Sequence, residues 1–167
     1  LRPVSGCATA CGRRATNEDT CCAADAVRDA AFAADAVLAH YAVYDGHNGT
    51  GVAAACARAV PPQLLYHPLF PHAPARVFRE GYARADALVT APGDRSGATA
   101  VTAVVFGATL YVANIGDSEC ILVSREGSAC VHTVMTERHV LTDEGERARV
   151  KALGATVVFG RLFGALE

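Results

Sequence analysis

The pattern of apolar and polar positions predicts a mixture of short strands and amphipathic helices. A run of β-branched and aromatic residues at Tyr41–Tyr44 predicts a buried strand that ends abruptly at Asp45-Gly46. Apolar residues recur at helical spacing over 75–90, which predicts an amphipathic helix that Pro92-Gly93 ends. The chain therefore contains both helices and strands, and it has no internal repeat.

One further helix is predicted before residues 75–90 and another after them. The first runs from about Gly49 to Leu65, where alanines favour helix, and Pro61-Pro62 should bend or end it. The second runs from Thr142 to Gly154, because its acidic first turn resembles a capping box and its final glycine suits a left-handed stop.

Four β-rich runs separated by glycine-containing turns predict an antiparallel meander in the second half of the chain. A further strand is expected directly after the last helix. The runs are Ala100–Phe106, Leu110–Asn114, Cys120–Ser124, Ala129–Val134 and, after the helix, Thr156–Phe159.

The segments Cys21–Val27 and Phe32–Leu38 are ambiguous. Their alanine content suits helix, whereas their short spacing and the strand that follows suit a β-hairpin. We favour the hairpin, with Arg28-Asp29 in or near its turn.

Composition then limits the classes of protein. With 167 residues, the chain is long enough for one domain with a core. A net charge of −2 gives no general reason to expect nucleic acid or an anionic membrane as partner, and no uncharged stretch is long enough for a membrane span. The oligomeric state stays open.

The seven cysteines are odd in number and lack the paired spacing of a zinc site. We interpret them as mostly reduced apolar residues of an intracellular protein, cytoplasmic or nuclear. The start at Leu1 without a methionine indicates a processed or excised chain.

Candidate chemistry lies at the end of the first predicted strand. Asp45 can give oxygen ligands to Mg²⁺ or Mn²⁺, and Gly46 lets the backbone carbonyl approach the same ion. Histidine is a common proton donor in catalysis, so His47 can donate a proton to a leaving group. An isolated Asp-Gly-His sequence is nevertheless more often an ordinary turn than a site.

Two other polar stretches are candidates on weaker grounds. Arg14 precedes the adjacent carboxylates Glu18 and Asp19, of which only one can face a given site because neighbouring strand residues point in opposite directions. Asp117 follows Gly116 in a predicted turn. Taken alone, each stretch is more often a solvated loop or an ordinary turn than a functional site.

The order of these stretches resembles the amino-terminal part of the metal-dependent protein serine/threonine phosphatases of type 2C. The similarity runs from residue 12 to the end of the chain. The matching stretches are Arg14-Ala-Thr-Asn-Glu-Asp19, Tyr41-Ala-Val-Tyr-Asp-Gly-His47, Ser96-Gly-Ala-Thr-Ala100, Leu110-Tyr-Val-Ala-Asn-Ile-Gly-Asp-Ser118, and Asp143-Glu-Gly-Glu-Arg-Ala-Arg149 through Ala152-Leu-Gly-Ala155.

The resemblance implies a fold and a metal centre. The fold would be of the α+β class, a truncated α-β-β-α sandwich of two antiparallel sheets flanked by helices, and residues 1–167 would form the amino-terminal portion of one catalytic domain. Asp45 would bridge two Mg²⁺ or Mn²⁺ ions, and the Gly46 carbonyl and Glu18 would hold one of them. Asp19 would support these ligands, and Asp117 would serve a weaker third metal position.

The resemblance also implies the reaction. Arg14 would bind the phosphate of a phosphoserine or phosphothreonine protein, and His47 would protonate the leaving oxygen, while a metal-activated water attacks phosphorus. No cysteine nucleophile is required.

Three departures from the family bear on activity. Asn48 stands where a small residue is usual, and asparagine tolerates left-handed backbone. Glu119 replaces an arginine and so reverses a charge near Asp117. Two further metal-binding aspartates of the family fall beyond the last residue, so we expect weak metal binding and little activity from these 167 residues alone. The alternative is a catalytically inactive phosphatase-like module that binds proteins.

Overall fold

The computed structural model of the chain contains ten strands and three helices in its described part. In chain order they are β1 (Thr20–Ala24), β2 (Leu38–Tyr44), β3 (Gly46–His47), α1 (Gly51–Leu65), α2 (Pro74–Val89), β4 (Gly97–Ala98), β5 (Ala100–Phe106), β6 (Thr109–Ile115), β7 (Ile121–Glu126), β8 (Ala129–Val134), α3 (Glu144–Ala152), β9 (Thr156–Val158) and β10 (Arg161–Phe163). The structure describes residues 3–28, 32, 37–91, 93–158 and 161–163.

The main sheet is antiparallel and has the strand order β1-β2-β5-β6. The strand predicted at Tyr41–Tyr44 is part of β2, and this stretch is buried on one face only, since Val43 on the other face is 45% exposed. On one face, Leu38, Ala42 and Tyr44 pack with Val104 of β5 and with the helices. The predicted α+β class is therefore confirmed, with the core between this face and α1 and α2.

A hairpin forms here, but the predicted second strand is wrong: β1 pairs with β2, and of the described residues in Phe32–Leu38 only Leu38 lies in that strand. Strand β1 pairs with β2 from Thr20–Tyr44 to Ala24–His40. The second strand begins only at Leu38, since Phe32 and Val37 lie outside it. Arg28 lies in the connection, and its predicted turn partner Asp29 falls outside the described residues.

Helix α1 does not end at its prolines. Pro61 and Pro62 lie inside it, and the helix continues to Leu65. Burial explains why the last turn persists despite the lost donors, since Leu64 and Leu65 are 1% and 5% exposed. Leu64 also lies against Gly81 of α2, where an added Cβ would be 2.5 Å from a Leu64 methyl carbon.

The predicted four-strand meander is wrong in its connectivity. Strands β5 and β6 pair in the main sheet, but β7 and β8 form a separate two-stranded sheet. The chain changes direction at Gly116, whose φ of 87° suits glycine. All residues of β7 and β8 are exposed in this chain.

The last predicted elements are confirmed. Helix α3 begins after Asp143, whose carboxylate accepts the Glu146 N–H at 2.7 Å, and Gly154 follows it with a φ of 90°. Strand β9 follows, although Phe159 of the predicted strand lies outside the described residues. None of the helices in the described ranges is long and apolar enough to cross a membrane.

The cysteines differ from the prediction in one respect. Cys7 and Cys21 form a disulfide, which their spacing did not predict. The other five are free thiols.

Candidate active site

The site is centred on Asp45, the residue that directly follows strand β2. Its backbone is locked to the neighbouring chain segment by two hydrogen bonds: the Asp45 N–H donates to Thr99 Oγ1 at 3.3 Å, and the Thr99 N–H donates to the Asp45 carbonyl at 2.9 Å. Tyr44, just before it, is fully buried. A rigid strand therefore delivers an exposed carboxylate to the edge of the molecule.

Gly46 is required by packing as well as by its predicted metal role. A Cβ at this position would overlap the Glu18 carbonyl oxygen and lie 3.2 Å from the Ala53 Cβ. The segment that carries Glu18 and Asp19 thus passes directly against the backbone at Gly46. Only glycine allows this approach without a shift of one segment.

His47 and the turn after it also lie in close contact with neighbouring segments of the chain. The imidazole lies against Gly97, where a Cβ would overlap the ring. Asn48 has a φ of 58°, so the left-handed geometry that the sequence predicted as tolerable is present. The Gly49 N–H donates to Glu18 Oε1 at 2.6 Å, which ties this turn to the first segment.

The charges around Asp45 show which predicted residues meet. Partial burial raises the pKa of the Asp45 carboxyl, and the negative charges of Asp19 and Asp117 raise it further. The positive charges of Arg14 and His47 act in the opposite direction. Four charged residues from three stretches of the sequence, one of which contains Asp45 itself, therefore act on one carboxylate.

Glu18 differs from these residues because its carboxylate is already engaged. Its Oε1 accepts the Gly49 N–H, and its side chain is half-buried. In this structure Glu18 fastens the turn after His47. Its role as a metal ligand stays a prediction.

Asp117 lies in the tight turn that links the main sheet to the β7–β8 hairpin. At Gly116, a Cβ would lie 2.7 Å from Thr99 Cγ2, so Thr99 contacts this turn as well as Asp45. The Thr99 hydroxyl is also 2.6 Å from the Ser118 hydroxyl. One threonine therefore joins the two carboxylate-bearing turns.

The outer side of the same turn is held by the segment before α3. The Gly116 N–H donates to His139 Nδ1 at 3.3 Å, and the His139 N–H donates to the Gly116 carbonyl at 2.9 Å. The Asn114 side-chain amide donates to the Glu137 carbonyl at 2.6 Å. These bonds fix the direction of the Asp117 backbone.

Arg138 lies close to both Glu119 and Asp117. Its guanidinium lies 3.9 Å from carboxylate oxygens of both Asp117 and Glu119. All three side chains are substantially exposed, so each ion pair is weak in water. A nearby cation therefore offsets part of the negative charge that Glu119 adds beside Asp117.

Comparison with known proteins fits this geometry. Residues 4–167 match the sequence model of the family described as Protein phosphatase 2C. The chain belongs to the protein phosphatase 2C family.

Similarity to curated members of the family is extensive along this chain. It is 33% identical over 158 residues to "Probable protein phosphatase 2C 54" of Oryza sativa subsp. japonica, covering 93% of this chain and 43% of that protein. It is 37% identical over 123 residues to human "Protein phosphatase 1F", covering 71% of this chain and 26% of that protein. The chain therefore spans less than half the length of either relative.

Solved structures share the fold. The serine-threonine phosphatase 2C from Toxoplasma gondii aligns with a TM-score of 0.72 at 21% identity, covering 86% of this chain and 52% of that one. A C. elegans sex determining protein aligns with a TM-score of 0.68 at 22% identity, covering 90% of this chain and 38% of that one. The predicted phosphatase 2C fold is confirmed, with this chain matching its amino-terminal part.

The family's residues in this chain suit a hard divalent cation only in part. Asp19, Asp45 and Asp117 offer carboxylate oxygens, which Mg²⁺ and Mn²⁺ prefer, and their mutual repulsion is the kind that a bound cation relieves. Among the described residues, however, no three His, Cys, Asp or Glu side chains are close enough together to hold an ion. The donor chemistry fits, and the convergence of the donors is incomplete.

Sequence reasoning missed the residues that hold the carboxylates in place. Thr99 stood within a recognised stretch, Ser96-Gly-Ala-Thr-Ala100, yet received no role. Its spacing from Asp45 gave no sign that the two backbones would pair. The segment Thr136–His139 carried no signal at all, because its contacts with Gly116 exist only after folding.

Proposed function

We propose that this chain forms part of the catalytic site of a metal-dependent phosphatase acting on phosphoserine and phosphothreonine proteins. One observation supports this most strongly: Asp45 is influenced by two further carboxylates and by the cations Arg14 and His47. Family membership points to the same reaction. Action in the cytoplasm or nucleus remains a prediction from the cysteine pattern.

The acidic residues would hold Mg²⁺ or Mn²⁺, two ions per site. Asp45 would be the shared ligand, with the Gly46 carbonyl and Glu18 beside it, Asp19 in support and Asp117 at a separate position. Such ions, when bound, supply a water of lowered pKa and neutralise phosphoryl charge. The chain's own contribution is to fix the Asp45 backbone through Thr99, so that its carboxylate needs little reorganisation.

Arg14 would bind the substrate phosphate. Its side chain is exposed, and the turn before it is closed by the Arg14 N–H donating to the Cys11 carbonyl at 3.2 Å. A guanidinium presents parallel N–H donors that match two phosphate oxygens. Its positive charge also opposes the repulsion among the carboxylates.

His47 would donate a proton to the seryl or threonyl oxygen as it leaves. Contact with Gly97 restricts the position of its imidazole, which is exposed and so accessible to a protein substrate. Proton donation then prevents an alkoxide from leaving unprotonated.

The incomplete convergence of ligands supports a second candidate. A phosphatase-like module without catalytic metal would still present Arg14 to a phosphorylated partner and could bind it without hydrolysis. The set of described side chains offers no ready-made three-ligand metal group, which favours this candidate for these 167 residues.

Hydrolysis of a phosphothreonine peptide distinguishes the two candidates. We expect the whole protein to release phosphate only with Mn²⁺ or Mg²⁺, and Asp45→Asn to lower the rate by about 100-fold or more. Asp86→Asn on α2 is the matched control and should retain the full rate. If the wild type binds the peptide without metal and does not hydrolyse it, the phosphatase hypothesis is wrong and the binding-module hypothesis is supported.

A further inference from the structure

A disulfide closes the segment that carries three of the predicted site residues. Cys7 bonds to Cys21 across a sequence separation of 14. Arg14, Glu18 and Asp19 all lie between the two cysteines. The covalent bond therefore limits how far these residues can move from the end of β2.

The segment depends on few other interactions. Residues 3–19 are all described and contain neither helix nor strand. The Asp19 N–H donates to Asn17 Oδ1 at 3.0 Å, the Asn17 amide bonds to Thr9 Oγ1, and Glu18 accepts the Gly49 N–H. Such a segment has low local stability, so removal of a crosslink should change its order.

The disulfide lies on the face of the main sheet opposite the helical core. Cys22 faces that core, with its Sγ 3.8 Å from His40 Nδ1, and neighbouring strand residues alternate between faces. Cys21 therefore points to the other face, where Gly6–Ala8 line one side of a cleft of about 380 Å³. Tyr41 and Val43 line the sheet side of the same cleft.

A second contact aligns the start of the chain with this face. A hydrogen bond from Ser5 lowers the pKa of the Asp25 carboxyl, which also accepts the Tyr41 hydroxyl at 2.9 Å. The amino-terminal segment is thus attached both at Ser5 and at Cys7. The buried core between the sheet and α1 and α2 does not include either attachment.

We propose that the Cys7–Cys21 disulfide is a redox-controlled tether that orders residues 8–19 at the phosphatase site. Its effect on catalysis rests on the proposed function, whereas its effect on chain order does not. Because Cys7 is exposed, a small dithiol can reach the bond. Cytosolic disulfides are usually transient or redox-sensing, which fits a protein expected to work inside the cell.

The chemical step is thiol–disulfide exchange with a dithiol reductant. One thiolate of the dithiol attacks a sulfur of the pair, the Cys7–Cys21 bond breaks, and a mixed disulfide forms. The second thiol of the dithiol displaces the protein thiolate, and both cysteines end as thiols. Two electrons pass to the protein, and the dithiol becomes a cyclic disulfide.

Hydrogen exchange on the whole protein tests the tether without reference to activity. In the oxidised protein we expect the Asp19 and Gly49 amides to exchange about tenfold more slowly than after dithiothreitol treatment. Cys7→Ser should exchange quickly in both conditions. Cys130→Ser, which alters an exposed thiol in β8, should match the wild type.

Peptide mapping without reductant provides the covalent check. Trypsin should release a peptide that ends at Arg13, with its Arg2–Pro3 bond uncut, linked to residues 15–28 from the oxidised protein, and fragmentation should place the link at Cys7 and Cys21. Absence of this link, or equal exchange rates in the two redox states, would overturn the tether. Since reduction of the wild type needs no substitution, a folding defect in Cys7→Ser cannot obscure the result.

Phosphatase kinetics then separate the tether from the proposed function. Reduction should raise KM for the phosphopeptide several-fold in the wild type and leave Cys7→Ser unaffected. Redox-dependent exchange without hydrolysis in any form would retain the tether and reject the enzyme. Hydrolysis with an unchanged KM would reject control of the site by the tether.

Discussion

The main sheet and the β7–β8 hairpin have similar apolar sequences but opposite surroundings. Leu38 in β2 is 1% exposed, whereas Leu122 in β7 is 43% exposed. Val104 in β5 is fully buried, whereas Val123 in β7 is 63% exposed. An apolar run therefore predicts a strand, but its burial depends on whether another layer covers it.

The candidate site lies where these two regions meet. Asp45 extends from a strand that is paired on both sides and backed by helices. Asp117 lies in the turn between the main sheet and the exposed hairpin. The residue before it, Gly116, is held by a hydrogen bond to His139 and by contact with Thr99. We infer that Asp45 has the more rigid position, and that Asp117 depends on the surrounding loops.

Two leucine-to-alanine variants test this comparison, and the first of them should give the largest change in the free energy of unfolding. Leu38→Ala should lower the free energy of unfolding by about 2 to 5 kcal/mol, because it leaves a cavity in the core. Leu122→Ala should change it by only about 0.5 kcal/mol, since the side chain is already exposed. Chemical denaturation measures both, and similar losses would show that the hairpin is packed after all.

A buried histidine makes the main sheet sensitive to acid. His40 is 1% exposed, and desolvation lowers its pKa to about 4 from an ordinary 6.5. Between these values the unfolded chain binds more protons, so stability should fall by about 3 kcal/mol as pH drops from 6.5 to 4. Denaturation measured across this range checks the prediction.

Matched histidine variants assign that acid sensitivity. His40→Gln cannot be protonated, so the fall in stability between pH 6.5 and 4 should become shallower by this amount. His132→Gln, in exposed β8, should keep the wild-type slope. A slope that changes equally in both variants would contradict a special role for His40.

Close backbone approach at the site should be costly to disturb. Gly46→Ala should lower the free energy of unfolding by about 1 to 3 kcal/mol, because its methyl group must displace the Glu18 backbone. Gly6→Ala is the control, since a Cβ there meets no atom within 4 Å. Equal melting temperatures for the two variants would remove the proposed reason for glycine at 46.

Local patterns in the sequence were sufficient for individual elements. The run of β-branched and aromatic residues identified β2, and the spacing from Asp143 to Glu146 identified the start of α3. Each of these signals involves residues that are close together in the chain, where local backbone geometry decides the structure. The left-handed Asn48 was likewise predictable from the residue type.

Features that depend on distant parts of the chain were predicted less well. Leu65 remains helical beyond two prolines because tertiary burial outweighs the lost hydrogen bonds. The break between β6 and β7 and the Cys7–Cys21 bond each depend on which segments meet after folding. For the same reason, the sequence identified Asp45 but not its partner Thr99.

Titration with Mn²⁺, followed by electron paramagnetic resonance of the free ion, tests the central claim most directly. If Asp45 is the shared ligand of the site, Asp45→Asn should weaken binding by about tenfold or more, while Asp86→Asn should bind like the wild type. Equal Mn²⁺ affinity in all three proteins would contradict a metal site centred on Asp45.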